Sequence, residues 1–217
     1  MTRIAKIMIV DDHPSTRDGL VIRIDLEPDL EVCGEADDVE QALHIVHEMC
    51  PDLVVVDISL KTGSGIDLVK LLKQQHPRVK TLVWSMYDES LYAERALRAG
   101  ASGYINKQRV TDSIIEAIRT ILRGDLYLSQ ELSAKMLHRA IQGKASVACS
   151  PVDSLSDREL ETFRLIGSGM TTKEIARRMR LSPKTIETYR ARIKEKIEID
   201  DMAALTREAT QWVLENG

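Results

Sequence analysis

Five short runs rich in β-branched residues punctuate the first half of the chain, and each is followed by a segment with helical spacing. The runs are RIAKIMIV (3–10), LEVCGEA (30–36), LVVVD (53–57), VKTLVWS (79–85) and GYI (103–105). Leu20 and Ile24, Leu43 and Val46, Leu68 and Leu72, Leu91 and Leu97, and Ile114 and Ile118 form the apolar stripes of the helices that follow them. Strict alternation with short connections requires right-handed crossovers, which build a parallel sheet covered by helices on both faces. The fold expected for residues 1–123 is a doubly wound α/β domain around a five-stranded parallel sheet.

The pattern then changes. GDLYLSQELSAKMLHRAIQ (124–142) reads as a turn and a helix, and GKASVACSPVD (143–153) as a polar interdomain linker, so residues 124–154 form a helical extension and linker. Residues 155–217 read as a small all-α domain with helices at 156–167, 171–179, 182–197 and 201–215. Gly167 and Gly169 mark a stop, Thr171 with Glu174 a capping box, and Ser182 with Pro183 a helix start.

The 217 residues, 43% hydrophobic and 29% charged, suit two modest soluble domains. No apolar run reaches membrane-spanning length, and MTRIAKIMIVDD lacks the features of a secretory signal, so a cytoplasmic protein without a membrane partner is expected. Cys33, Cys50 and Cys149 share no metal-type spacing and read as reduced, mostly buried thiols.

In an open parallel sheet, functional groups gather beyond the carboxyl ends of the strands. Asp11 and Asp12 follow the first strand there, and Asp57 ends the third. Three carboxylates together repel one another and lose hydration, so a cation is required among them. With no cluster of His or Cys, oxygen ligation favours Mg²⁺ over zinc, and His13, next to Pro14, reads as a helix-entry residue. Ser85 ends the fourth strand and Lys107 follows the fifth. A carboxylate nucleophile, a divalent metal, a hydroxyl and an ammonium together suit phosphoryl acceptance, with Asp57 attacking in line.

TTKEIARRMRLSPKTIETYRARIKEKI has the form of a helix-turn-helix, with Ala176 allowing close packing and Leu181 plugging the turn. Ile186, Ile193 and Ile197 form the core stripe of its second helix, with Tyr189 and Arg190 at the edges. The opposite face carries Lys184, Glu187, Thr188, Ala191 and Arg192. Thr188 and Ala191 allow close entry into a DNA major groove, and Glu187 can accept from cytosine. Lys173, Lys184, Arg190, Arg192 and Lys194 can reach phosphates, and Thr185 joins them as a DNA-binding candidate. From Lys173 to Lys196 there are 9 basic and 3 acidic side chains, a concentration that suits a polyanion.

IVDDHP, VVVDISL, LVWS and GYINK resemble the receiver domain of two-component response regulators over roughly the first 123 residues. The resemblance implies a flavodoxin-like fold, phosphorylation of Asp57, and Mg²⁺ held by Asp11, Asp12, Asp57 and the Ser59 carbonyl. It further implies phosphoryl contacts from Ser85 and Lys107, and a switch in which Tyr104 turns inward as Ser85 moves. LSDRELETFRLIGSGMTTKEIARRMRLSPKTIETYRARIKEKI is similar to the LuxR-type DNA-binding domain, and the pair matches the NarL/FixJ class. That class implies a sensor histidine kinase as donor, double-stranded DNA as target, and a homodimer formed on phosphorylation or on DNA through the last helix. Two departures stand out: Lys61 where many receivers have proline, and Glu187 where relatives often have Lys or Asn. Tyr87 reads either as a screen against water or as an exposed loop residue.

Enzyme readings fit poorly. An aspartate-nucleophile phosphatase of the haloacid-dehalogenase class needs a second Asp at position 59, which is Ser, and VDDHPSTRDG replaces the Gly-rich turn of a dinucleotide site. A regulator whose helical module binds a protein instead of DNA is the remaining alternative, and salt-dependent DNA binding separates the two.

Overall fold

The computed structural model describes residues 3–87, 89–108, 113–141, 151–179 and 181–216. The chain divides into two compact units, residues 1–138 and 139–217. The first contains β1 (Ala5–Val10), α1 (Pro14–Asp25), β2 (Leu30–Ala36), α2 (Val39–Met49), β3 (Leu53–Val56) and α3 (Gly65–Gln75). These are followed by β4 (Lys80–Ser85), α4 (Glu89–Ala99), β5 (Gly103–Asn106) and α5 (Ser113–Arg123), and then by α6 (Gln130–Ile141), which crosses the division.

All strands are parallel, in the order β2-β1-β3-β4-β5. The inner strands are apolar on both faces because both faces are covered: Ile7, Ile9, Leu53, Val55 and Leu82 pack in one cluster with residues of α1 and α5. The alternate residues Met8, Val10, Val54, Val56 and Val83 are equally buried toward the opposite face. β1 lies between β2 and β3, so the chain leaves it in opposite directions and opens a crevice at the carboxyl ends.

Three details differ from the sequence expectation. The buried face of α4 is made by Tyr92, Ala93, Ala96 and Ala99, while Leu97 is half-buried, because the small alanines let this helix lie close to the sheet. Cys50 is exposed and Cys33 half-buried; Cys50 takes the left-handed cap position of α2 (φ 47°), which faces solvent. The segment before α6 is not a simple turn: Tyr127 pairs beside β5, its N–H donating to Ser102 O at 3.0 Å and its carbonyl accepting from Tyr104 N–H at 3.1 Å. Most of the expected linker at 143–153, including Cys149, lies outside the described residues.

The second unit contains α7 (Asp157–Gly167), α8 (Thr172–Arg178), α9 (Pro183–Lys196) and α10 (Met202–Asn216), preceded by a 3₁₀ turn, Pro151–Ser154. Ser156 with Glu159 and Thr171 with Glu174 form reciprocal capping boxes on α7 and α8, and Ser182 caps α9 ahead of Pro183. Phe163, Ile166, Ile175, Ile186, Ile193 and Leu205 make the core. Gly167 does more than end a helix, since a Cβ there would lie 2.3 Å from the Ala209 carbonyl of α10.

Candidate functional site

Pairing of β1 with β3 sets the first geometry. The Asp57 N–H donates to the Val10 carbonyl at 2.8 Å, so the residues leaving the two strands are held together. Asp11 and Asp57 are 1% and 4% exposed, and donor atoms of Asp11, Asp12, His13 and Asp57 lie within 4.8 Å of one another. Lys107 is anchored to β4 by its N–H, which donates to the Ser85 carbonyl at 2.8 Å. Its ammonium reaches Asp11 Oδ2 at 2.5 Å and Asp57 Oδ2 at 2.7 Å. The Ser85 hydroxyl donates to the other Asp57 oxygen at 2.5 Å. Strand ends from distant parts of the chain thus bring Ser85 and Lys107 onto the two oxygens of one carboxylate.

Burial pushes the Asp57 carboxyl above the usual carboxylate range, with the Asp11 charge adding to the rise and Lys107 and Ser85 opposing it. One lysine faces three carboxylates, so the pocket retains an appetite for a further cation. Its donors are mainly hard oxygens, which fits Mg²⁺. His13 is the N-cap residue of α1, as its place before Pro14 suggested. Its ring also faces the carboxylates, with Nδ1 2.7 Å from Asp12 Oδ1 and 3.3 Å from Asp11 Oδ1.

Several supporting residues escaped the sequence reading. The Arg17 guanidinium donates to the Asp11 carbonyl at 2.6 Å and reaches Glu35 at 3.2 Å; the only sequence signal was its place one turn beyond His13. Gly65 passes so near the end of β3 that a Cβ would sit 1.9 Å from the Asp57 carbonyl oxygen. Ser59 lies in an antiparallel bridge with Ser64, which closes the loop after β3. Lys61 pins that loop where a proline was expected: its N–H donates to the Asp37 carbonyl at 3.0 Å and its ammonium lies 3.3 Å from the Asp37 carboxylate.

Tyr104 is fully buried, and its hydroxyl donates to the Tyr87 carbonyl at 2.8 Å, beside a second 2.8 Å bond from Asn106. Tyr87 is half-buried, its ring 4.8 Å from that of Tyr92, so it is a packed anchor of the loop after β4. The Tyr104 ring is therefore already inside while Ser85 bonds Asp57.

On the second unit, Lys173, Lys184, Glu187, Thr188, Ala191 and Arg192 are exposed, and those of α9 share the face opposite Ile186 and Ile193. Three other candidates are tied inward. Arg190 bonds Thr172 and Glu187, the Lys194 ammonium donates to the Asp200 carbonyl at 3.1 Å, and Thr185 shares a 2.8 Å bond with Ser182. Glu187 accepts from Thr172 at 2.8 Å, so its carboxylate serves the α8–α9 contact. Ala191 leaves the middle of the exposed face low enough for close approach of a groove.

The family profile of the response regulator receiver domain matches residues 7–119, and that of the LuxR family of bacterial regulatory proteins matches residues 153–209. The chain belongs to the LuxR-type response regulators of the NarL/FixJ class. This regulator is 33% identical over 208 residues to the oxygen regulatory protein NreC of Staphylococcus carnosus (strain TM300), covering 94% of this chain and 96% of the relative. It is 32% identical to the response regulator GacA of Pseudomonas aeruginosa, covering 89% and 90%. Among solved structures it resembles RcsB from Salmonella enterica serovar Typhimurium bound to promoter rprA with the phosphomimetic BeF3⁻. There the TM-score is 0.60 and the identity 23%, over 96% of this chain and 99% of that one. The response regulator is a two-component transcription regulator with a receiver and a DNA-binding domain, and among its described residues no helix is long and apolar enough to cross a membrane.

Proposed function

We propose that this regulator takes a phosphoryl group from the phosphohistidine of a sensor histidine kinase onto Asp57 and thereby becomes competent to dimerise on double-stranded DNA. The observation that carries the reading is the convergence of Ser85 and Lys107 on the two oxygens of Asp57. One Asp57 oxygen attacks phosphorus in line as the bond from phosphorus to the histidine nitrogen breaks, and the phosphoryl oxygens then inherit the donors that now hold the carboxylate. Lys107 neutralises developing charge, and Ser85 donates to the transferred group. Asp11, Asp12, Asp57 and the Ser59 carbonyl would hold Mg²⁺, which supplies charge neutralisation on the phosphoryl oxygens. The chain itself is the acceptor in this step, and the phosphohistidine is the donor.

Residues 1–123 act as the receiver, 124–154 as the connection and 155–217 as the DNA-binding module. Phosphorylation stabilises the arrangement in which Ser85 is drawn to the site. Because Tyr104 is already buried, the switch lies in the strength of its bond to Tyr87 and not in burial of the ring. On DNA, Thr188 and Ala191 meet the major groove and Lys173, Lys184 and Arg192 reach phosphates, while Thr185, Glu187, Arg190 and Lys194 orient α9. The protein works in the cytoplasm, where kinase and DNA are both accessible. Intact-mass analysis after incubation with acetyl phosphate and Mg²⁺ tests the first step: one phosphoryl adduct is expected on the parent and none on Asp57→Ala, and an adduct retained by the variant overturns it. Duplex binding with and without beryllofluoride tests the second; no affinity at low salt in either state favours a protein partner for the helical module.

A further inference from the structure

The first turn of α6 is capped in an unusual way. Ser129 is its N-cap: the Ser129 hydroxyl accepts from Leu132 N–H at 3.1 Å, and the Ser129 carbonyl from Ser133 N–H at 2.9 Å. In a capping box the residue three beyond the cap returns a carboxylate to the cap's own N–H, as Glu159 and Glu174 do on α7 and α8. On α6 that residue is Leu132, which is buried and has no acceptor. The missing carboxylate comes from elsewhere: Ser129 N–H donates to Glu89 Oε1 at 3.1 Å, and Glu89 is the first residue of α4. A bond normally made within one helix here joins two elements 40 residues apart.

Glu89 stands four residues after Ser85, at the far end of the loop whose Tyr87 carbonyl is held by Tyr104 and Asn106. Tyr104 also touches the segment that leads into α6, because its N–H donates to the Tyr127 carbonyl. That approach is close, since a Cβ on Gly103 would lie 2.7 Å from the same carbonyl oxygen. Hydrogen bonds therefore tie Ser85 to Asp57 and Glu89 to the start of α6, and Ser85 and Glu89 stand four residues apart in the chain, with the Tyr87 carbonyl between them held by Tyr104 and Asn106.

We propose that Glu89 is a coupling residue, a capping-box carboxylate lent by α4 to α6, so that the phosphorylation state of Asp57 sets the order of the first turn of α6. This rests on Asp57 being the phosphoacceptor. A phosphoryl group on Asp57 offers Ser85 a more highly charged acceptor next to the oxygen it already bonds, and charge-assisted bonds strengthen with the charge of the acceptor. Phosphorylation thus reinforces the arrangement in which Glu89 reaches Ser129. It tightens the start of α6 and leaves the Tyr127 pairing, which does not use Glu89, as an internal reference.

The test is amide hydrogen exchange on the full chain with Mg²⁺, with and without beryllofluoride, for the parent, Glu89→Ala and Glu89→Gln. Protection at Ser129 and Leu132 is expected to rise about tenfold in the parent on adding beryllofluoride, to show no rise in Glu89→Ala, and to recover partly in Glu89→Gln, which keeps an acceptor oxygen. Intact mass after acetyl phosphate treatment is read on all three. If the adduct forms on Asp57 and the protection at Ser129 and Leu132 is unchanged in the parent, or still rises fully in Glu89→Ala, the coupling is wrong and the phosphoacceptor stands. If no adduct forms on Asp57, both fall together.

Discussion

The two functional surfaces of this regulator handle charge in opposite ways. At the crest of the sheet, three carboxylates and one lysine are enclosed, and Lys107 bonds partners 96 and 50 residues away in the chain. On α9, charge stands in water on residues three and four apart; Glu187, Arg190 and Lys194 bond within the α8–α9 hairpin or its flanking turn, while Lys196, at the helix end, reaches back to Ser154 and Glu159. A buried site of this kind entangles function with stability, because removing its ammonium leaves buried carboxylates uncompensated. An exposed helix face separates them, since its charges are already hydrated and cost little to remove.

That contrast is sharpest at Lys107. Lys107→Ala leaves Asp11 and Asp57 without their shared cation, and a loss of about 3–5 kcal/mol is expected in urea unfolding with EDTA present. Mg²⁺ should restore more stability to the variant than it adds to the parent, and equal effects on both would break the argument. Gly65→Ala comes next, at about 1–3 kcal/mol, because its new methyl meets the Asp57 carbonyl and the backbone has to move. The same substitution at Gly19, where a Cβ meets nothing within 4 Å and φ is ordinary as at Gly65, isolates the clash.

Asp57→Asn gives a smaller effect whose size depends on pH. Burial raises the carboxyl's pKa in the folded state, so the folded protein holds the proton more firmly than the unfolded chain. Its contribution to stability is complete below the unfolded value and is lost as pH rises through the folded one. In EDTA, Asp57→Asn should therefore melt above the parent at neutral pH, with the gap closing as the pH falls toward the ordinary aspartate range. A gap that widens on acidification would reverse the assignment. On the other surface, Arg192→Ala should change unfolding by less than about 0.5 kcal/mol. Its DNA affinity should fall with a salt dependence shallower by about one unit of slope, read by titration at several ionic strengths. A large stability loss there would erase the distinction between the two regions.

Much of the buried site was legible because strand ends are legible. A run such as IMIV followed by DD can end in only one place, at the carboxyl edge of a parallel sheet, and the same logic located Asp57, Ser85 and Lys107. The helix starts at Thr171 and Ser182 were equally local, since a cap and its partner lie within four residues. Residues that act across the fold were not legible. Arg17, Gly65 and Glu89 carry no pattern of their own, and each matters through a carbonyl or amide that another element supplies. Glu187 and Arg190 looked free on a helical wheel and proved to be bonded to Thr172, because a wheel shows one helix and the partner belongs to another. The edge pairing of Tyr127 was hidden because two backbone hydrogen bonds leave no mark on side-chain periodicity.

The sequence by itself determined the alternation of strand and helix, the two-part organisation and the set of charged side chains at the strand ends, since these follow from local periodicity and from the bias against burying charge. Only the tertiary structure decided which oxygen each donor meets, how Lys61 holds a loop without proline, and that α6 takes its cap from α4. The physical reason is range: periodicity and capping act over one or two turns of chain, whereas hydrogen bonds between elements depend on distances that exist only after the sheet has closed.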